Sequence, residues 1–432
     1  MKATLRALSF VGLGLLLTRT PASGVDRFAA GDFTKPEFFP ILPWDPLHGW
    51  DGKRRESEIN GLESIAQCHF NLGGFVRTED LRQCRDLGLG ALLLPPPEAG
   101  LPLRYQRRWK ELSDDEIDRR VRAMVKYAGR SPAVKGYFIM DEPGVADFPA
   151  LGKAVTAVKK YAPGKLAYIN LFPDYATLGA PDTSQLGTTN YTEYLERFVA
   201  EVQPQILSYD NYLVEYSDDL KKPVGASYFR NLAGVRRVAL AHGLPYLQVV
   251  AANQLRPGHT PPSPANLALQ AYTTLAAGFR GVTWYTYFSR GYHYGAVDAE
   301  GRRTATWSYL SEVNRQVAAL APILSRLSST GIYFSEPAPA DGLPLLPGKL
   351  IGTVTASTPV MVGEFRGPRA TAYALVVNLS LAQTANLRLT TEPASQTIQQ
   401  VSAVDGGLRP FDQEKDGFWL PAGQGVLLKL GE

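Results

Sequence analysis

Between about residues 38 and 325 the chain alternates two kinds of segment: short apolar runs rich in β-branched and aromatic residues, and longer stretches whose apolar positions recur at helical spacing. Eight short runs can be counted: residues 38–44, 69–76, 91–94, 136–140, 166–171, 206–209, 246–251 and 282–288. Between them the spacing predicts helices over 114–127, opened by Ser113 as an N-cap, and over 148–161, 191–202, 227–242 and 265–277. Repeated strand–helix alternation predicts crossover connections and a parallel sheet, and eight such units predict an α/β fold closed as a (β/α)8 TIM barrel. A doubly wound open sheet competes with it, weakened because no Gly-rich phosphate turn follows the first strand.

After a last helix over about 304–327 the pattern shifts to period two, with runs at 350–355, 360–365, 372–377, 385–389, 399–404 and 425–430 separated by turns. That predicts a C-terminal antiparallel β-sandwich. The expected organisation is a barrel over 25–330 and a β-sandwich accessory domain over 331–432. Residues 1–24 come before both. There Lys2 and Arg6 precede an apolar run, Leu8 to Leu17, followed by Pro21-Ala22-Ser23-Gly24. This is the order of a secretory signal peptide, so an exported, periplasmic or extracellular protein is expected, with no transmembrane segment once the signal is removed.

Charge adds an exclusion. The chain has 45 Lys and Arg against 41 Asp and Glu; loss of Lys2, Arg6 and Arg19 with the signal would leave the two counts one apart. Such a balance gives no broad footprint for nucleic acid, and a neutral partner such as a carbohydrate fits better. Cys68 and Cys84 lie at a predicted strand start and late in the following helix, a placement open to a disulfide or to two buried thiols. The five histidines and two cysteines show no paired ligand spacing, so neither metal nor cofactor is expected. No Gly-x-Ser-x-Gly elbow marks a serine hydrolase.

Enzymes on this barrel build their sites at the C-terminal ends of the strands. Here those ends carry Trp44 and Asp45, Asp141 and Glu142, Asn170, Tyr209 to Tyr212 with Asp210 among them, Asn253 and Gln254, and Trp284, Tyr285 and Tyr287. Carboxylates, carboxamides and aromatic faces are what sugar chemistry uses. Trp44, Asp45, Asn170, Tyr209, Tyr212, Asn253, Gln254, Trp284, Tyr285 and Tyr287 are therefore the candidate substrate-binding residues. The sharpest signal is Gly136-Tyr137-Phe138-Ile139-Met140-Asp141-Glu142-Pro143-Gly144, in which an apolar strand delivers two adjacent carboxylates before a proline ends its ladder. Because side chains alternate, only one of Asp141 and Glu142 can point into the mouth unless the backbone bends there. A like charge nearby and partial burial both favour the protonated form, which suits a Glu to proton donation.

The run from Tyr137 to Gly144 resembles the fourth-strand motif of the clan A glycoside hydrolases, which include the family 42 β-galactosidases and many cellulases. Residues 267–287 and 302–327 resemble their last barrel helix and strand and the helix into their C-terminal β-domain. The resemblance implies a glycosidase with Glu142 as acid/base. The chain departs from that pattern at Asp141, where those enzymes usually have Asn, and on the seventh strand, where Val249-Val250-Ala251-Ala252-Asn253-Gln254 holds no nucleophilic Glu. Three explanations stand open. Asp210 serves as the second carboxylate, or Asp141 steadies a substrate acetamido group that itself attacks, or the barrel binds glycans without hydrolysing them.

Overall fold

The computed structural model describes residues 38–49, 53–55, 58–95, 109–216, 223–257, 259–394 and 397–431. The expected signal segment lies outside them. The first part of the chain is eight strands, each followed by a helix: β1 (Ile41–Pro43), α1 (Gly61–Gln67), β2 (Leu72–Val76), α2 (Leu81–Asp86), β3 (Gly90–Leu93), α3 (Asp114–Ala128), β4 (Val134–Asp141) and α4 (Phe148–Tyr161). Then come β5 (Leu166–Asn170), α5 (Tyr191–Val202), β6 (Leu207–Asp210), α6 (Pro223–Ala241), β7 (Tyr246–Ala251), α7 (Pro264–Ala276), β8 (Val282–Tyr285) and α8 (Ala305–Leu324). All pairings are parallel, in two four-stranded sheets ordered β1-β8-β7-β6 and β2-β3-β4-β5. Backbone hydrogen bonds link the sheets at both edges. Phe75 N donates to Asp45 O at 3.1 Å and Leu47 N to Phe75 O at 2.9 Å on one side, and Leu171 N donates to Ser208 O at 2.8 Å on the other.

Local chemistry explains the helix starts. Ser113 accepts from Glu116 N at the head of α3, Asn190 from Glu193 N at the head of α5, and Ser263 forms a capping box with Asn266 before α7. Side-chain alternation along the strands sorts two apolar layers. Leu42, Trp44, Phe75, Leu92, Phe138, Tyr168, Leu247 and Val249 form one cluster between the sheets, while Ile41, Val76, Leu93, Tyr137, Ile169, Tyr209, Val250 and Trp284 pack outward under the helices.

Beyond α8 the chain is β-rich: β9 (Ser328–Phe334), β10 (Ile351–Ala356), β11 (Val360–Arg366), β12 (Ala372–Asn378), β13 (Ala385–Thr391), β14 (Ile398–Val401), β15 (Leu408–Pro410), β16 (Trp419–Leu420) and β17 (Gly425–Leu430). They make a six-stranded sheet ordered β15-β14-β17-β12-β11-β9 and a three-stranded sheet ordered β10-β13-β16, antiparallel throughout. Val362, Val376 and Leu428 of the larger sheet share an apolar core with Ile351, Leu387 and Leu420 of the smaller. Helix α7, buried from Asn266 to Ala276, lies between this unit and the parallel strands. Contact there is close: a Cβ on Gly363 of β11 would fall on the Ala276 carbonyl oxygen, and one on Gly423 on that of Ala265.

Cys68 and Cys84 are both buried free thiols. The Cys68 thiol donates to Trp307 O at 3.7 Å. Burial pushes both thiols up, Cys84 to about 12. Since the thiolate is the reactive form, neither cysteine should react with a disulfide reagent such as Ellman's in the folded protein, and both should react after unfolding in guanidinium. Rapid titration of a thiol in native protein would contradict this arrangement.

Candidate functional site

The end of β4 does what strict alternation forbids. Phe138 pairs with Tyr168 of β5, but the next pairs are Met140 with Ile169 and Asp141 with Asn170, so β4 carries one residue more than its neighbour. This bulge turns Met140 out toward the helices and brings Asp141 onto the interior face, in register with Asn170. Glu142 then adopts a left-handed backbone, φ 46°, while its N–H donates to Asn170 O at 2.8 Å. A non-glycine residue pays on the order of 1 kcal/mol or more for that conformation. Asp141 is consequently buried and Glu142 partly exposed, side by side at the same strand end.

Strands β5 and β6 complete the acidic group. On β6, Ser208 and Asp210 face the interior and Tyr209 faces away. Asn170 Nδ2 lies 3.3 Å from Asp141 Oδ1 and 3.3 Å from Asp210 Oδ1, so these two carboxyl oxygens are at most twice that distance apart. Desolvation pushes both carboxyls well above the usual carboxylate range, and the neighbouring Glu142 charge raises them further. The Asn170 hydrogen bond opposes the rise at Asp141, and a hydrogen bond from Tyr212 opposes it at Asp210. Asp141 and Asp210 are thus buried together with the partly exposed Glu142 beside them, and ionising one of the three makes ionising the next harder.

Aromatic rings stand beside them. Tyr285 stacks on Tyr212 at a centroid distance of 5.5 Å and an interplanar angle of 27°, and meets the edge of Trp44 at 5.8 Å. The Tyr285 and Tyr292 hydroxyls are 2.8 Å apart. On the β7 side, the Thr286 hydroxyl donates to Phe288 O at 2.7 Å, so its oxygen accepts from Asn253 Nδ2 at 2.8 Å. That fixes the Asn253 amide and leaves its buried Oδ1 without a partner. Its Gln254 neighbour is committed otherwise, with Nε2 on the His259 carbonyl.

Four residues read from the sequence as substrate-binding lie elsewhere. Tyr209 and Trp284 are fully buried in the outer apolar layer, Tyr209 against Phe279 and Trp284 with its indole N–H on Asn314 Oδ1. Tyr287 is also buried outward, between the Ser64 hydroxyl and the Trp307 indole. Alternation explains the first two, which directly neighbour the inward-facing Asp210 and Tyr285, whereas Tyr287 lies beyond the end of β8, where the strand period no longer holds. Asp45 braces the loop after β8, its Oδ2 accepting from Tyr287 N and Phe288 N at 2.6 and 2.8 Å. Conversely, Tyr168, Ser208 and Tyr292 belong to the site's surroundings and were not singled out from sequence. Tyr168 and Ser208 were recoverable from the period-two pattern, which puts them on the face of Asn170 and Asp210; Tyr292 sits in a loop with no such signal.

Burial holds Asp45 up at about 6 despite the Arg290 charge and two backbone donors, and Asp174 also at about 6. For these, as for Asp141 and Asp210, the folded value exceeds the unfolded one near 4. Their contribution to stability is therefore fully present below pH ~4 and is lost as pH rises. Asp210→Asn keeps an acceptor for Asn170 but cannot ionise. It should melt roughly 2 °C above the wild type at pH 7, with the advantage shrinking toward zero near pH 4, as read by calorimetry across that range. A difference independent of pH would refute the electrostatic account.

No family model matches the chain, and no curated protein matches it. Among solved structures, it superposes on a glycoside hydrolase with a TM-score of 0.55 at 12% identity, covering 91% of this chain and 93% of that one. A glycoside hydrolase family 5 protein from Bacteroides vulgatus gives 0.51 at 12% identity, over 91% and 90% of the two chains. A β-galactosidase from Marinomonas ef1 is matched over 63% of this chain and 60% of its own length, at 13% identity and a TM-score of 0.44. At these identities the first two likenesses are of fold: parallel strands with helices, followed by a β-rich unit, form an architecture shared with glycoside hydrolases.

Proposed function

We propose that this chain is a glycoside hydrolase whose eight parallel strands close as a (β/α)8 barrel, braced by a C-terminal β-sandwich, with Glu142 as the general acid. The observation that carries the proposal is the meeting of Asp141, Glu142 and Asp210 at the ends of β4 and β6, beside the stacked Tyr212 and Tyr285. Backbone hydrogen bonds across both sheet edges support closure, and the shared fold supports the reaction class.

In this reading the partly exposed Glu142 protonates the departing glycosidic oxygen. Asp210 is the second carboxylate, acting on the anomeric carbon or on a water beside it. The tyrosine rings take the apolar face of the sugar, and Asn253 Oδ1 accepts a hydroxyl. No β7 carboxylate is required. A second reading rests on the burial of Asp141 directly beside the proton donor: there Asp141 orients a substrate acetamido group that attacks in place of a protein nucleophile. The kinship with family 42 rests on the Asp141-Glu142-Pro143 run, and the division near residue 330 on the change from helices to antiparallel strands. Export rests on the first 24 residues.

Glu142→Gln should lower turnover of a responsive aryl glycoside by about 10² to 10⁴ while leaving binding largely intact, measured as kcat and Kd on the same substrate. Unchanged turnover in that variant, or none by the wild type on a broad aryl glycoside panel, would defeat the proposal. Azide rescue of Asp210→Gly supports Asp210 as the second carboxylate. Activity confined to N-acetylhexosaminides and abolished in Asp141→Asn, without azide rescue, supports the acetamido route.

A further inference from the structure

Behind the acidic group lies a run of buried hydrogen bonds that neither the strand-end reading nor the acid assignment uses. Trp44 Nε1 is 3.0 Å from Tyr168 Oη, Tyr168 Oη is 2.9 Å from Ser208 Oγ, and Ser208 Oγ is 3.0 Å from Asn170 Oδ1. All four residues are buried. From the far end of the Asn170 amide, Nδ2 reaches Asp141 and Asp210.

The chemistry of the first member sets the direction of the whole run. An indole N–H can only donate. Tyr168 therefore accepts from Trp44 and has one proton to give, which goes to Ser208. Ser208 has its own single proton left, and it goes to Asn170 Oδ1. With that oxygen occupied, both amide hydrogens face the two carboxyls. The reverse arrangement fails at two points. A flipped amide would set its oxygen between two carboxyls, repelled wherever they are ionised, and its NH2 would donate to Ser208. Ser208 would then donate to Tyr168, which would receive two donors and keep a buried proton with no acceptor.

We infer that Tyr168 and Ser208 are positioning residues: aligned by the Trp44 indole, their hydroxyls lock the Asn170 amide so that its NH2 group clamps Asp141 and Asp210 together. Asn170 is thus a holder of the carboxyls rather than a contact for sugar hydroxyls. The clamp's part in hydrolysis rests on the glycosidase reading above, whereas its direction and its effect on the two aspartates do not. Losing the lock frees the amide to turn, which withdraws hydrogen bonds that favour the charged aspartates.

The test separates those two levels. Asp carboxyl carbons are labelled with 13C, with Asp141→Asn and Asp210→Asn used to assign the signals, and each is titrated by NMR in wild type, Ser208→Ala, Tyr168→Phe and Ser208→Thr, all checked for folding by circular dichroism. The expected result is an upward shift of about one pH unit for both aspartates in Ser208→Ala and in Tyr168→Phe, with wild-type titration kept by Ser208→Thr, which retains the hydroxyl. Two independent variants guard against one failing to fold. Wild-type titration in either folded hydroxyl-deleted variant overturns the inference. On an aryl glycoside that the wild type turns over, the pH profile of kcat/KM should move by the same amount, with KM nearly constant. Shifted titrations together with a wild type inert on every aryl glycoside would leave the clamp standing and remove the glycosidase reading instead.

Discussion

The one extra residue near the end of β4 governs what this molecule can do. Without it, alternation from Phe138 would have carried Met140 inward and Asp141 outward, and a single acid would have reached the interior. With it, Asp141 comes level with Asn170, and the left-handed turn at Glu142 sends the chain away before the ladder can continue. Two consecutive carboxyls then occupy one strand end, and the third, on β6, meets Asp141 through the shared Asn170 amide. The strain at Glu142 is tolerated because its N–H is tied to Asn170 O and because the Tyr194 hydroxyl donates to Pro143 O at 2.7 Å, anchoring the turn from outside.

Much of the architecture was legible in the sequence because burial on one face writes a period into the chain. The helix expected over 148–161 is α4 with the same bounds, and the cap at Ser113 opens α3 as anticipated. The runs at 246–251 and 166–171 match β7 and, within a residue, β5. The short helices α1 and α2 were too brief to show a period; the last helix ends at Leu324, three residues short of its expected end, and β9, which starts at Ser328 directly after that expected end, was not among the anticipated runs.

The site was legible only in part, and for a physical reason. Composition at the strand ends pointed to the right rim but could not say which of two neighbours faces inward. Tyr209 and Asp210 carry equally plausible chemistry; only the register decides that Asp210 belongs to the acidic group and Tyr209 to the packing under α6 and α7. The bulge in β4 left no trace in residue type. Nor could single residues reveal the chain from Trp44 to Asn170, since its meaning lies in the order of donors and acceptors from the end of β1 across β5 and β6, between partners 38 to 124 positions apart in sequence.

Helix α7 has no solvent face of its own. Parallel strands press on one side, and on the other the sheet of the β-rich unit comes near enough for glycine to be required at Gly363 and Gly423. Such a helix belongs to two cores at once. The C-terminal unit therefore could not be exchanged as a cassette or lost during evolution without stripping the wall behind β7 and β8, and any drift in the seating of one half would be passed directly to the end of β8, which carries Tyr285, and to the turn after β7, which carries Asn253.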